Sequence, residues 1–270
     1  MTNILLTVSY DGTDFCGWQR QDKSNEGEPV RTVQGEIEIA IERMLRMPVK
    51  LYGSGRTDSG VHAMGQAANF ESPIDSVTPE NYLRALNGLL PPDIRIVSVE
   101  KKPMEFNSRF SATSRKYRYF IQCEKPSYAH ESRYRWYIPR RPDINVLNDM
   151  ASCLRGEIDC ATFAASGDKS LSTYRYLENA FFYWEDEERG LLVFEIQANA
   201  FLWKMVRSIT GTLIEAEKKG MTGEDFKAIL ESRDRSRAMT TAPATGLFLW
   251  QIFFDGPVRH DRTGDIPTSD

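Results

Sequence analysis

Cysteine and histidine are scarce in this chain of 270 residues, which has four of one and three of the other. Cys16, Cys123, Cys153 and Cys160 form no C-x-x-C pair, and His62, His130 and His260 give no zinc-ligand spacing. A disulfide scaffold and a structural zinc site are therefore excluded, and the cysteines read as reduced, partly buried thiols. Long apolar runs are also missing. No stretch approaches the ~18 residues of a membrane span, and MTNILLTVSYDG lacks both the basic flank and the apolar core of a secretory leader. A cytoplasmic protein with no membrane partner and no bound metal is the expectation. With 41% hydrophobic, 27% charged and 11% aromatic residues, the composition excludes disordered, collagen-like, mucin-like and coiled-coil chains. At roughly 150 residues per domain the length fits one large or two small domains.

A net charge of −4 argues, taken whole, against a nucleic-acid binder. The average conceals an asymmetry. Between Arg109 and Arg141, nine basic residues stand against two acidic ones, a local charge of +7. Tyr117, Tyr119, Phe120, Tyr128, Tyr134, Trp136 and Tyr137 are interleaved with them. Phosphate-binding charge mixed with stacking faces suits RNA, although a solvated basic strand and loop would read the same way.

Periodicity divides the chain into two similar halves. In the first, ILLTVSY reads as a buried strand, and Val33, Ile37, Ala40, Ile41, Met44 and Leu45 recur at helical spacing. A short strand near Val49–Tyr52 and another around Val61–Phe70 form a hairpin. Thr78 and Pro79 open a second helix, and IRIVSVEK closes the half as a strand. In the second, RKYRYFIQC is a strand and Asp143 caps the helix INVLNDMASCLR. YLENAFFYWE and GLLVFEIQAN form a hairpin, and FLWKMVRSITGTLIEAEKKG is a long helix stopped by Gly220. Thr222 with Asp225 begins an extra helix, and LFLWQIFF is a closing strand. The predicted class is α+β, with two ferredoxin-like (β-α-β-β-α-β) halves whose mainly antiparallel sheets pack together around a central cleft. The expected divisions are residues 1–105, residues 106–254 and a polar tail at 255–270.

The densest local signal is Gly53-Ser54-Gly55-Arg56-Thr57-Asp58-Ser59-Gly60, an Arg and an Asp set among glycines at a hairpin tip. A turn in which Asp58 bonds its own backbone is the plain alternative. No Gly-Lys-Ser/Thr follows and the spacing is not G-x-G-x-x-G, so a phosphate loop is excluded.

GRTDSGVHA, Gly55 to Ala63, closely resembles the signature of the TruA family of tRNA pseudouridine synthases. Further blocks agree in order: Tyr10-Asp11-Gly12 with Gly17-Trp18-Gln19, Arg31-Thr32-Val33-Gln34, Phe106-Asn107-Ser108-Arg109-Phe110 and Arg115-Lys116-Tyr117-Arg118-Tyr119. Asn199-Ala200-Phe201-Leu202, Met205-Val206-Arg207 and Ala242-Pro243-Ala244-Thr245-Gly246-Leu247 complete the set. The chain departs from the pattern in a longer loop at Asp22–Val30, in Ser59, in Ile158-Asp159-Cys160 and in Lys204.

The resemblance implies that Asp58 is a nucleophile, that Arg207 is its partner and that Tyr117 lies against the target uracil, in a site formed where the halves meet. Arg56 would fill the gap left by a flipped nucleotide. Arg109, Arg115 and Lys116 would join Tyr117 and Arg56 in binding RNA. The substrate would be tRNA, modified in the anticodon arm near positions 38–40, and the enzyme a homodimer. Isomerising uridine involves no redox change and no energy source, so no cofactor is expected. Two other readings were open. A tandem RNA-recognition module shares the element order, but VHAMGQAANF and GLLVFEIQAN lack its RNP1 pattern. A retaining glycosidase needs a second carboxylate about 5 Å away, and none stands at a matching position near the motif.

Overall fold

A computed structural model describes residues 1–21 and 30–257. Most of the long loop at Asp22–Val30 and of the polar tail from Asp255 therefore lies outside the described residues. In chain order the elements are β1 (Thr2–Tyr10), α1 (Val33–Leu45), β2 (Tyr52–Gly53), β3 (His62–Ser72), α2 (Pro79–Leu89) and β4 (Ile94–Lys102). Then come β5 (Ser114–Cys123), β6 (Trp136–Ile138), α3 (Ile144–Ala151), β7 (Gly156–Asp159), β8 (Tyr174–Asp186), β9 (Leu191–Ala198), α4 (Met205–Lys218), α5 (Gly223–Glu231) and β10 (Leu247–Phe253). The class is mixed α+β, with mostly antiparallel strands.

The chain divides into two compact units. The first comprises Met1–Ala112 with Phe248–Asp255. Its sheet runs β4-β1-β3, with β2 paired to β3; these pairings are antiparallel, and β10 lies parallel to β3 through Phe248 opposite His62. Alternate residues of β1 (Ile4, Leu6, Val8) are fully buried, as are Ile37 and Ile41 of α1 and Tyr82 and Leu86 of α2. Removing about 25 cal/mol of free energy per Å² of apolar surface from water, these side chains drive the helices onto the sheet. The cap read from the sequence at Thr78 forms, its side chain accepting from the Asn81 N–H, and Thr32 caps α1 by accepting from the Gly35 N–H.

The second unit contains Thr113–Leu247. Its strands run β5-β9-β8-β7 antiparallel, with the short β6 parallel to β5. Every residue of β9 is buried, and Phe194 stacks on Phe182 with ring centroids 4.6 Å apart. Leu147 and Met150 of α3, Ile209 and Leu213 of α4, and Phe226 of α5 complete the core.

Two boundaries differ from expectation. α4 begins at Met205 rather than Phe201, because Lys204 adopts a left-handed conformation (φ 59°) and breaks the helix before it starts. α3 ends at Ala151, short of Arg155. The thiol expectation is corrected at one position: all four cysteines are free, but Cys16 is exposed. Burial pushes the other three thiols up, Cys123 and Cys160 to about 12 and Cys153 to about 11.

Candidate functional site

In the first unit the GSGRTDSG loop joins β2 to β3 and is fastened from below by the two blocks that precede it in sequence. Thr57 Oγ1 is 2.8 Å from the buried Tyr10 Oη, and the Thr57 carbonyl accepts the Trp18 N–H at 3.2 Å. Phe15 O takes the Ser59 hydroxyl at 3.1 Å, and Gln66 Nε2 donates to Gly55 O at 2.9 Å. Gly17 has φ 88°, and a Cβ there would lie 2.6 Å from the Thr57 carbonyl, so only glycine lets this strand of backbone run so close under the loop. Gln34 ties the remaining blocks together: its Oε1 accepts from Gln19 Nε2 at 2.8 Å and its Nε2 donates to Leu51 O at 3.0 Å. On this bed Asp58 is half-buried and Arg56 exposed.

His62, the histidine of the signature, is fully buried and stacks on Phe248 at 4.6 Å. Its Nδ1 lies 3.0 Å from the Gly12 N–H, which donates to it. Asp11 Oδ1, 3.2 Å from the same nitrogen, accepts the Thr13 N–H and hydroxyl. Sequence reasoning assigned His62 no role. Its place between the GSGRTDSG loop and β10 is that of a packing post.

In the second unit the segment from Asn199 to Arg207 gathers several singled-out residues. Arg115 donates to Asn199 O at 2.6 Å, and Tyr117, 9% exposed, meets Phe201 edge-on at 5.1 Å. Arg207, on the first turn of α4, donates from Nε to Ala242 O at 2.8 Å, while its own carbonyl takes the Ala242 N–H at 3.0 Å. That bond fixes the plane of the guanidinium. The strap Ala242–Leu247 is held on its other side by β5, where Tyr119 Oη donates to Pro243 O at 2.5 Å and the Phe120 N–H to Gly246 O at 2.8 Å. Burial drives the Tyr119 hydroxyl far above its ordinary pKa, against the opposing pull of the Arg207 charge, so it serves as a neutral donor.

α4 packs against the start of this strap through Gly211, where a Cβ would lie 1.9 Å from the Thr240 carbonyl. Replacing glycine in a helix ordinarily gains stability, but here the clash decides the sign. Gly211→Ala is expected to destabilise the protein by about 1–3 kcal/mol in chemical denaturation. An unchanged midpoint would show that the strap is loosely held.

Within the second unit, Lys116 is not brought together with these. Lys116 and Arg118 alternate with Tyr117 along β5 and so occupy the opposite sheet face, where both pair with the buried Glu195 at 3.3 and 2.8 Å. Arg109 belongs to the first unit, next to Ser108, which is fixed by Asn69 and by Tyr52 O. The +7 of the linear stretch is also reduced in space. Lys116, Arg118, Arg140 and Arg141, four of its nine basic residues, pair with Glu195, Glu217 or Glu187 from outside the stretch. Arg118→Ala is accordingly expected to lower stability by about 1–2 kcal/mol, because Glu195 loses a partner, and to leave the salt slope of RNA binding unchanged. A flatter slope at undiminished stability would return Arg118 to the RNA surface.

Among the described residues no group of three or more His, Cys, Asp or Glu side chains is placed to hold a metal, and no helix is long and apolar enough to cross a membrane.

The sequence profile of the family described as tRNA pseudouridine synthase matches residues 6–111 and 150–255. A protein named tRNA pseudouridine synthase A from Treponema denticola is 54% identical over 250 residues, covering 93% of this chain and 92% of that one. Its namesake from Treponema pallidum is 49% identical over 86% of this chain and 81% of that one. Another from Brachyspira hyodysenteriae is 41% identical over 94% and 99%.

Proposed function

The chain belongs to the tRNA pseudouridine synthase family and is an RNA-modifying isomerase; on that premise we propose that it converts uridines of the tRNA anticodon arm, near positions 38–40, to pseudouridine, with Asp58 as the nucleophile. The observation that carries the reading is the loop around Asp58, which is fastened through Thr57, Ser59 and Gly55 while Asp58 is half-buried. A fixed loop presents a reacting group at small entropic cost.

The reaction breaks the C1′–N1 bond, turns the uracil and joins C1′ to C5, with loss of the C5 proton and gain of one at N1. Asp58 acts either by attack at C1′ or by assisting the elimination that gives a glycal. Arg207 is the proposed partner of that carboxylate, its guanidinium plane set by Ala242 O. Tyr117 stacks on the base and assists the C5 proton, with Phe201 bracing its ring. A stacked uridine exposes too little of C1′ and C5, so the nucleotide must flip at a cost of a few kcal/mol, and Arg56, exposed on the same loop, fills the vacated space. Arg109 and Arg115 contribute to RNA binding. Lys116 does so from the other face of its sheet, where Glu195 holds it less closely (3.3 Å) than it holds Arg118 (2.8 Å).

The wider reading comprises two ferredoxin-like halves in a cytoplasmic homodimer acting on tRNA without cofactor or metal. Its test is to incubate unmodified tRNA with the protein and map the pseudouridines formed. Pseudouridine confined to the anticodon arm is expected. Pseudouridine only elsewhere would overturn the positional reading, and tight binding with none formed would favour a non-catalytic RNA-binding protein.

A further inference from the structure

The entrance to α4 carries two local irregularities side by side. Lys204 occupies the helix N-cap in the left-handed region at φ 59°, a conformation that favours glycine, and supplies no side-chain cap. Trp203, just before it, is 46% exposed. An indole of that size usually goes inside, and a strained non-glycine cap is maintained only where the surroundings impose it.

The surroundings do impose it. The Trp203 N–H donates to Asp168 Oδ2 at 2.5 Å and the Trp203 carbonyl accepts the Ala165 N–H at 3.0 Å, so a neighbouring loop grips both backbone groups. Burial would raise the Asp168 carboxyl, but the bonds from Ser170 and from the Trp203 N–H outweigh it and hold the group below its ordinary range, ionised as an acceptor. The Lys204 ammonium lies 4.7 Å from the centre of the indole ring. The result is an aromatic plane on a rigid mount with a cation at its face. It stands two residues beyond Phe201, which touches Tyr117, and four residues before Arg207.

We propose that Trp203 and Lys204 form a stacking and phosphate-binding platform for a nucleotide flanking the target uridine of the RNA substrate. The inference rests on the proposed function for the identity of the target; the chemistry that recognises the neighbour is a half-exposed indole for a base and an ammonium for the adjoining phosphate. Stacking on tryptophan tolerates any base, so the platform holds the strand beside the flipped nucleotide without selecting a sequence.

The experiment measures binding and turnover of the full chain with anticodon stem–loop RNAs, intact or carrying an abasic nucleotide at each position flanking the target. Trp203→Ala should weaken binding roughly 5- to 150-fold, the range that loss of one base–aromatic stack produces, with the effect in Kd and KM rather than in kcat. Trp203→Phe should retain most of the affinity, which separates loss of the plane from loss of the fold. An abasic nucleotide at one flanking position should weaken wild type by a similar factor and cause no further loss in Trp203→Ala. Unchanged affinity in Trp203→Ala, or an abasic penalty equal in both proteins at every flanking position, overturns the proposal. If wild type bound RNA and formed no pseudouridine, the proposed function would fail while the binding comparison still decided the platform.

Discussion

Asp58→Asn should abolish pseudouridine formation, with kcat falling roughly 10^4-fold or more, while the unfolding midpoint and tRNA affinity stay close to wild type. The carboxamide has nearly the volume of the carboxylate. The loop is fastened through Thr57, Ser59 and Gly55, and the Val61 N–H bond to Asp58 O at 3.2 Å uses a backbone carbonyl that the substitution leaves in place. Chemistry is therefore lost without the scaffold. An amide neither attacks C1′ nor takes a proton, so both proposed routes fail together. A variant that kept a tenth of its turnover would remove Asp58 from the reaction. One that lost activity and stability in step would make the residue structural.

Arg207→Lys should cost about a hundredfold in kcat, because the positive charge survives and its orientation does not. The Nε bond to Ala242 O disappears, and an ammonium on a flexible stem replaces a planar fork braced by the strap. The effect should fall on kcat with KM for tRNA nearly unchanged, since the strap's other bonds, Tyr119 Oη to Pro243 O and Phe120 N–H to Gly246 O, are untouched. A rise in KM alone would make Arg207 a contact to RNA instead of a partner of the carboxylate.

The elements set by local chemistry were legible in the sequence. Thr78, Asp143 and Thr222 cap helices where the sequence places them, and Asp225 completes the predicted capping box. The strand at Arg115–Cys123 and the hairpin around EDEERG were readable from alternation and turn residues, and both form. What remained illegible depends on contacts distant in sequence. β6 and β7, of three and four residues, exist only as partners of β5 and β8 and carry too few residues to show a period. The left-handed Lys204 has no sequence signal, because the grip on its neighbour comes from Asp168, 35 residues away. The charge count of a linear stretch likewise missed Glu195 and Glu217, which neutralise cations 77 residues distant.

The candidate site was legible in part. The blocks around Asp58 proved to be the bed of its loop, and Ala242–Leu247 proved to be the strap that orients Arg207. Lys116 and Tyr117, neighbours in one block of the sequence, lie on opposite faces of β5. In a strand, adjacency places two side chains on opposite faces.

The most direct test is release of tritium from tRNA labelled at C5 of its uridines, with chelator present, for wild type and Asp58→Asn side by side. The account predicts tritium release by wild type, in proportion to the pseudouridine formed, and none by the variant. Release by Asp58→Asn at a comparable rate would contradict it.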